Sequence, residues 1–143
     1  MNSKFIELDR SFVPIPRDYS FKEEDYESEL IFGALDSKKW KDLLILPRVV
    51  ILAEAGAGKT EEMRATSNKL RGGGKKAFFL RLEHLNSDFE TALEIGKNEE
   101  FQEWVSSDEI AWFFLDSVDE AKLSGPKQFD AAIRKFALKL GGN

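Results

Sequence analysis

The chain has no cysteine, which excludes disulfide bridges and thiolate metal sites and fits a reducing compartment. It has one histidine, His84, beside Glu83, and nothing nearby completes a metal or general-base set, so the plain reading is a surface or strand-end histidine. Positive charge is not in excess either. A formal net charge of -5 gives no general pull toward nucleic acid or an anionic membrane, so any bound anion must be held by a local device. Long apolar runs are missing: "LLILPRVVILA" is broken by Pro47 and Arg48, and "MNSKFIELDR" lacks the continuous apolar core of a signal peptide. The expectation is a soluble cytoplasmic protein that neither enters a membrane nor binds nucleic acid directly. There is no internal repeat, and the one low-complexity tract is "RGGGKK" at 71–76.

What is present suits a packed domain. The 143 residues are 42% hydrophobic and 33% charged, too apolar for a disordered segment and long enough to bury roughly two thirds of the unfolded surface. Three short runs, "VVILA" at 49–53, "AFFLRL" at 77–82 and "IAWFFLD" at 110–116, are rich in β-branched or aromatic residues and end at turn or charged residues. Near-continuous apolar runs suit strands covered on both faces, as in parallel sheets. Between and after them lie helical patterns: "KTEEMRATSNKLR" at 59–71, stopped by Gly72; "EEFQEWVSS" at 99–107; and "SGPKQFDAAIRKFALKLGG", which aligns Phe129, Ile133, Phe136, Ala137 and Leu140 on one face.

Strand and helix alternating three times predicts an α/β fold on a mostly parallel sheet. The organisation expected is an extended arm and lead-in over 1–40 and the core over 41–143. Within it, "SKKWKDLL" reads as a short helix capped by Ser37 with Trp40, Leu43 and Leu44 inward. Trp104, Trp112 and the phenylalanines at 78, 79, 101, 113 and 114 read as core. Trp40 has a second reading as an adenine-stacking face.

The chemistry concentrates in "ILAEAGAGKTEE" at 51–62. Ala53, four residues, then Gly58, Lys59 and Thr60, between a strand and a helix, is the phosphate-binding P-loop with alanine at its first glycine position. Its glycines allow successive backbone N–H groups to face an anion, and the following helix adds the partial charge of its N-terminus. Ala53, Glu54, Ala55, Gly56, Ala57, Gly58, Lys59 and Thr60 are therefore the expected nucleotide-binding residues, with Lys59 on the β and γ phosphates and the Thr60 hydroxyl on Mg²⁺. Glu61 and Glu62 complement the helix dipole. Asp116 closes the strand "AWFFLD", where a carboxylate can hold the same Mg²⁺, and acids at the C-terminal end of a parallel strand project into the crevice where such a loop opens. The expected metal ligands are Thr60 and Asp116, and the expected cofactors are ATP and Mg²⁺. ATP is preferred to GTP because no guanine-reading Asn/Thr-Lys-x-Asp motif occurs.

Asp116, Ser117, Val118, Asp119 and Glu120, together with "LPRVVILAEAGAGKTEE", resemble the Walker B and Walker A motifs of NACHT-type NTPases, members of the STAND class of signal-transduction ATPases. The resemblance covers roughly residues 40–140 and implies a three-layer P-loop NTPase core. It implies that Asp119 or Glu120 orients the attacking water, that ATP hydrolysis drives a switch, and that nucleotide state governs a homo-oligomer coupled to effector and sensor domains of a longer chain. In bacteria the resemblance points to antiviral defence. In that group the strand after Walker B inserts between the P-loop strand and the Walker B strand. "LKLGGN" ends one helix after Walker B, so the core is expected to be incomplete at its C-terminus and turnover by this chain weak or absent. Three explanations stay open: a piece of a longer polypeptide, a substitute strand from residues 1–16, or pairing with a partner. Two other functions compete, a P-loop small-molecule or nucleotide kinase and a non-catalytic nucleotide-binding docking module.

Overall fold

A computed structural model of the chain describes residues 10–14, 37–49, 51, 58–85, 88–116 and 126–141, with backbone alone for Pro126, Gln128 and Phe129. The chain divides into two compact units, Met1–Ala53 and Glu54–Asn143. In the first, Phe12 and Lys38 exchange backbone hydrogen bonds of 2.8 and 2.7 Å as an isolated antiparallel bridge, and the Phe12 ring meets Trp40 edge-on with centroids 5.0 Å apart. Helix α1, Trp40–Leu43, is a single turn. Its N-cap is Lys39 and not Ser37: the Asp42 carboxylate reaches back to accept the Lys39 N–H at 2.8 Å, the acidic half of a capping box. Trp40, Leu43 and Leu44 are only half-buried there.

The second unit carries helix α2 (Lys59–Gly72), strand β1 (Lys76–Arg81), the one-turn helices α3 (Leu82–Leu85) and α4 (Phe89–Ala92), strand β2 (Leu93–Ile95), helix α5 (Asn98–Val105), strand β3 (Ala111–Asp116) and helix α6 (Pro126–Gly141). Helix α2 ends as its glycines dictate: the N–H groups of Gly74 and Lys75 close back onto the carbonyls of Arg71 and Leu70 at 3.0 Å each, the paired bonds of a Schellman stop. "RGGGKK" is thus a tight helix-to-strand connection.

The three strands form one sheet in the order β2-β1-β3. β1 and β3 run parallel in continuous register from Lys76 opposite Ala111 to Arg81 opposite Asp116. β2 runs antiparallel to β1, so the sheet is mixed and not mostly parallel; helices α3 and α4, which fit between β1 and β2, are too short for a parallel crossover. Of the strand expected over 49–53, Val50, Leu52 and Ala53 lie outside the described residues, and Val49 and Ile51 are in no strand.

Alternation along β1 sends Phe78 and Leu80 to one face and Phe79 and Arg81 to the other. The first face carries the main core: Phe78, Leu80, Leu82, Leu85, Phe89, Ala92, Phe101, Ala132 and Phe136, with Trp104 and Phe113 packed against them. Phe78 stacks on its register neighbour Phe113 with centroids 5.2 Å apart, Phe101 of α5 meets Phe78 edge-on at 5.9 Å, and Phe136 of α6 meets Phe113 at 5.4 Å. On α6 the buried stripe is Ala132 and Phe136 flanked by Ile133 and Leu140; Ala137, expected inside, is exposed. The opposite face is covered by α2, whose Met63 and Ser67 are buried at the one-turn spacing of a helix face. Helices thus lie on both faces of the sheet, a layered α/β unit.

Gly96 joins β2 to α5 with φ +95°, a backbone that side-chain-bearing residues rarely adopt. A Cβ there would also lie 2.5 Å from Phe78 Cδ1, so the glycine lets the chain pass directly over the central core ring.

Candidate functional site

Gly58, Lys59 and Thr60 open helix α2. Gly58 is its N-cap in the left-handed conformation, φ +81°, and Lys59 and Thr60 are the first two helical residues, both half-buried. Ala53, Glu54, Ala55, Gly56 and Ala57 lie outside the described residues, as do Asp119 and Glu120.

Asp116 ends β3 and is only 3% exposed. The Thr60 hydroxyl donates to its Oδ2 at 2.7 Å. Two residues distant in sequence, one on the first turn of a helix and one at the C-terminal end of a parallel strand, thus share a hydrogen bond. Both offer hard oxygen donors, the kind that Mg²⁺ takes alongside its own waters, so the pair fits the ion that the motif implies. Among the described residues no group of three or more acidic or histidine side chains is placed to hold a metal.

A charged network continues from this pair along the α2 face. Arg81 is the register partner of Asp116 on the neighbouring strand. Phe79 of β1 pairs with Ile95 and Leu80 with Leu93, which leaves Glu94 as the extra residue of a bulge; bulges re-aim side chains in this way. Glu94 accepts hydrogen bonds from both Arg81 and Arg64, the latter at 2.9 Å. Arg64 also pairs with Glu61 one turn back on α2 and lies over the Phe79 ring, 5.5 Å from its centroid. Arg81 has a second acid, Glu83, at 3.5 Å. Burial pushes the Glu94 carboxyl up, but the hydrogen bonds and charges of Arg64 and Arg81 outweigh it and hold it below the ordinary range. Burial works against the Arg81 charge, and Glu94, Asp116 and Glu83 together overcome that and raise its pKa. The Arg64 pKa is raised, first by its hydrogen bond to Glu94.

The two glutamates after Thr60 separate. Glu61 is the exposed partner of Arg64, whereas Glu62 is buried at 6% exposure, more than dipole complementation at a solvated helix end requires. Arg71, at the far end of α2, is structural: it donates to the Ala77 carbonyl at 3.0 Å and to both oxygens of Glu100 at 3.1 and 2.9 Å, tying α2, β1 and α5 together. His84 is half-exposed, with Glu83 beside it at 3.5 Å. A depression lined by Leu85, Asp88, Phe89, Lys135, Leu138 and Lys139 draws on the elements of the opposite face and shares no residue with the Thr60–Asp116 pair.

Comparison with protein families, with curated proteins and with solved structures finds no match. Among the described residues no helix is long and apolar enough to cross a membrane.

Proposed function

We propose that this chain is the ATP- and Mg²⁺-binding module of a STAND signalling NTPase of the NACHT type, a P-loop core in which nucleotide state sets a switch. The observation that carries this reading is the 2.7 Å hydrogen bond between Thr60 and Asp116. In a chain whose sequence reads GAGKT across the start of α2, the P-loop hydroxyl and the strand-end carboxylate come together where a shared metal would require both.

In this reading Lys59 supplies a fixed positive charge to the phosphates, and the first backbone N–H groups of α2 add theirs. Bound Mg²⁺ would neutralise charge developing on the transferred phosphoryl group. Thr60 and Asp116 would hold that ion through their oxygens, and Asp119 or Glu120 would orient the attacking water, as the family resemblance implies. Positioning and charge stabilisation supply most of the acceleration in such hydrolysis, so few groups are needed. The effector and sensor domains, the nucleotide-dependent homo-oligomer and a role in bacterial antiviral defence are what the family resemblance adds.

Three measurements on the purified chain test the reading: the ATP-dependent thermal shift with and without Mg²⁺, phosphate release, and mass as a function of nucleotide. A Mg²⁺-dependent stabilisation by ATP that disappears in Asp116→Ala is the expected result. Stabilisation that ignores Mg²⁺ and survives that substitution contradicts it. A phosphorylated small-molecule product would establish a kinase instead. Binding with no change in mass and no phosphate release, even in the longest natural chain, would establish a docking module.

A further inference from the structure

The arginine next to the site is held by partners that it can leave. Arg81 sits beside Asp116 in the parallel register, on the α2 face, and its side chain is 29% exposed. Its acids, Glu94 and Glu83, are 31% and 33% exposed. Ion pairs this open to water contribute little to stability. A guanidinium meeting a phosphate makes short, charge-assisted, bidentate bonds that are stronger and match its planar fork. An arginine side chain is also long enough to cover the separation of neighbouring strands, about 4.8 Å, and so to reach what Asp116 holds.

A purely architectural pair would not need this arrangement. The bulge at Glu94 aims one carboxylate at two guanidinium groups at once, one from β1 and one from α2 four residues after Thr60. The site is thereby flanked by two arginines sharing an acid.

We propose that Arg81 is a second polyphosphate contact, reading the terminal phosphate of a nucleoside triphosphate, and that Glu94 competes with that phosphate for its guanidinium. This rests on the nucleotide-binding reading above. Mg²⁺ held by Thr60 and Asp116 would bring the terminal phosphates to the end of β3 beside Arg81, and of these a diphosphate lacks the γ. Discrimination between triphosphate and diphosphate then comes from Arg81, while Lys59 binds both.

The test is titration of the full chain with Mg²⁺ and either ADP or a non-hydrolysable ATP analogue, for wild type, Arg81→Ala, Arg81→Lys, Glu94→Gln and Lys59→Ala. The expected results are a loss of about tenfold or more in affinity for the ATP analogue in Arg81→Ala, with ADP changed by less than about twofold, and tighter binding of the analogue in Glu94→Gln. Arg81→Lys keeps the charge without the fork and should fall between; it carries the same comparison if the alanine variant does not fold. Equal losses for both nucleotides in Arg81→Ala, no loss for either, or weaker analogue binding in Glu94→Gln would overturn the proposal, since a merely structural network makes both substitutions harmful alike. If wild type binds neither nucleotide, the P-loop reading itself has failed; normal binding that is lost in Lys59→Ala but indifferent to Arg81 leaves that reading intact and rejects only this one.

Discussion

The Thr60 hydroxyl and the Asp116 carboxylate meet at 2.7 Å although they lie 56 residues apart in the chain. One stands on the first turn of α2 and the other at the end of β3, so this single bond ties the start of the covering helix to the edge of the sheet. Asp116 is buried, and a buried carboxylate deprived of a donor keeps its desolvation penalty. Thr60→Val should therefore destabilise the fold by about 2 kcal/mol, seen as a melting temperature several degrees lower, while Thr60→Ser, which retains the donor, should remain within about 1 kcal/mol of wild type. Equal melting of the two variants would contradict this role for the bond.

Gly96 gives a second prediction, about folding alone. Its φ of +95° and the 2.5 Å approach of a Cβ to Phe78 combine backbone strain with overpacking of the central ring. Gly96→Ala should cost about 2–4 kcal/mol. Gly72→Ala, at the last residue of α2 with nothing within 4 Å of the added carbon, should be neutral or stabilising by about 0.5–1 kcal/mol. Denaturant midpoints of the two variants check the contrast.

The acid at the centre of the charged network predicts a pH dependence. Glu94 has a folded pKa below its ordinary value of 4.5, so the folded state holds fewer protons than the unfolded state as the pH falls. Its contribution to stability is complete above about pH 4.5 and is lost as the pH drops through the lower folded value. Partly exposed pairs keep the amplitude to about 1 kcal/mol or less. The melting difference between wild type and Glu94→Gln should be present near neutrality and close in acid; a difference that widens in acid would contradict the account.

The larger elements were legible because each had its own local signal. Helix α2 was expected over 59–71 and runs over Lys59–Gly72; β1 and β3 fall within a residue of "AFFLRL" and "IAWFFLD". Aromatic and β-branched runs bounded by glycine or charge announce buried strands, and a glycine tract announces the end of a helix. The segment from Leu82 to Ile95 gave no such signal. Its two helices are single turns and β2 has three residues, too short for any periodicity, so pairing with β1 and the backbone freedom of Gly96 decide their form. The antiparallel course of β2, which made the sheet mixed, was hidden for the same reason.

At the candidate site, motif spacing singled out Thr60 and Asp116, and the structure joins the two by one hydrogen bond. The network beside them was not. Arg64, Arg81 and Glu94 are ordinary charged residues in sequence, and only the register of β1 with β3 and the bulge in β2 bring them together. Ala132 in place of Ala137 on the buried stripe of α6 is a smaller case: both are alanines, and the exact rotation of the helix against Phe113 selects between them.

The central claim, that the loop ahead of α2 and the carboxylate of β3 serve one metal-bound polyphosphate, is tested most directly by calorimetric titration of Mg²⁺-ATP into wild type and Lys59→Ala. The account predicts saturable binding to wild type that is lost in a Lys59→Ala protein still melting cooperatively near the wild-type temperature. Equal binding by both, or none by a folded wild-type chain, would contradict it.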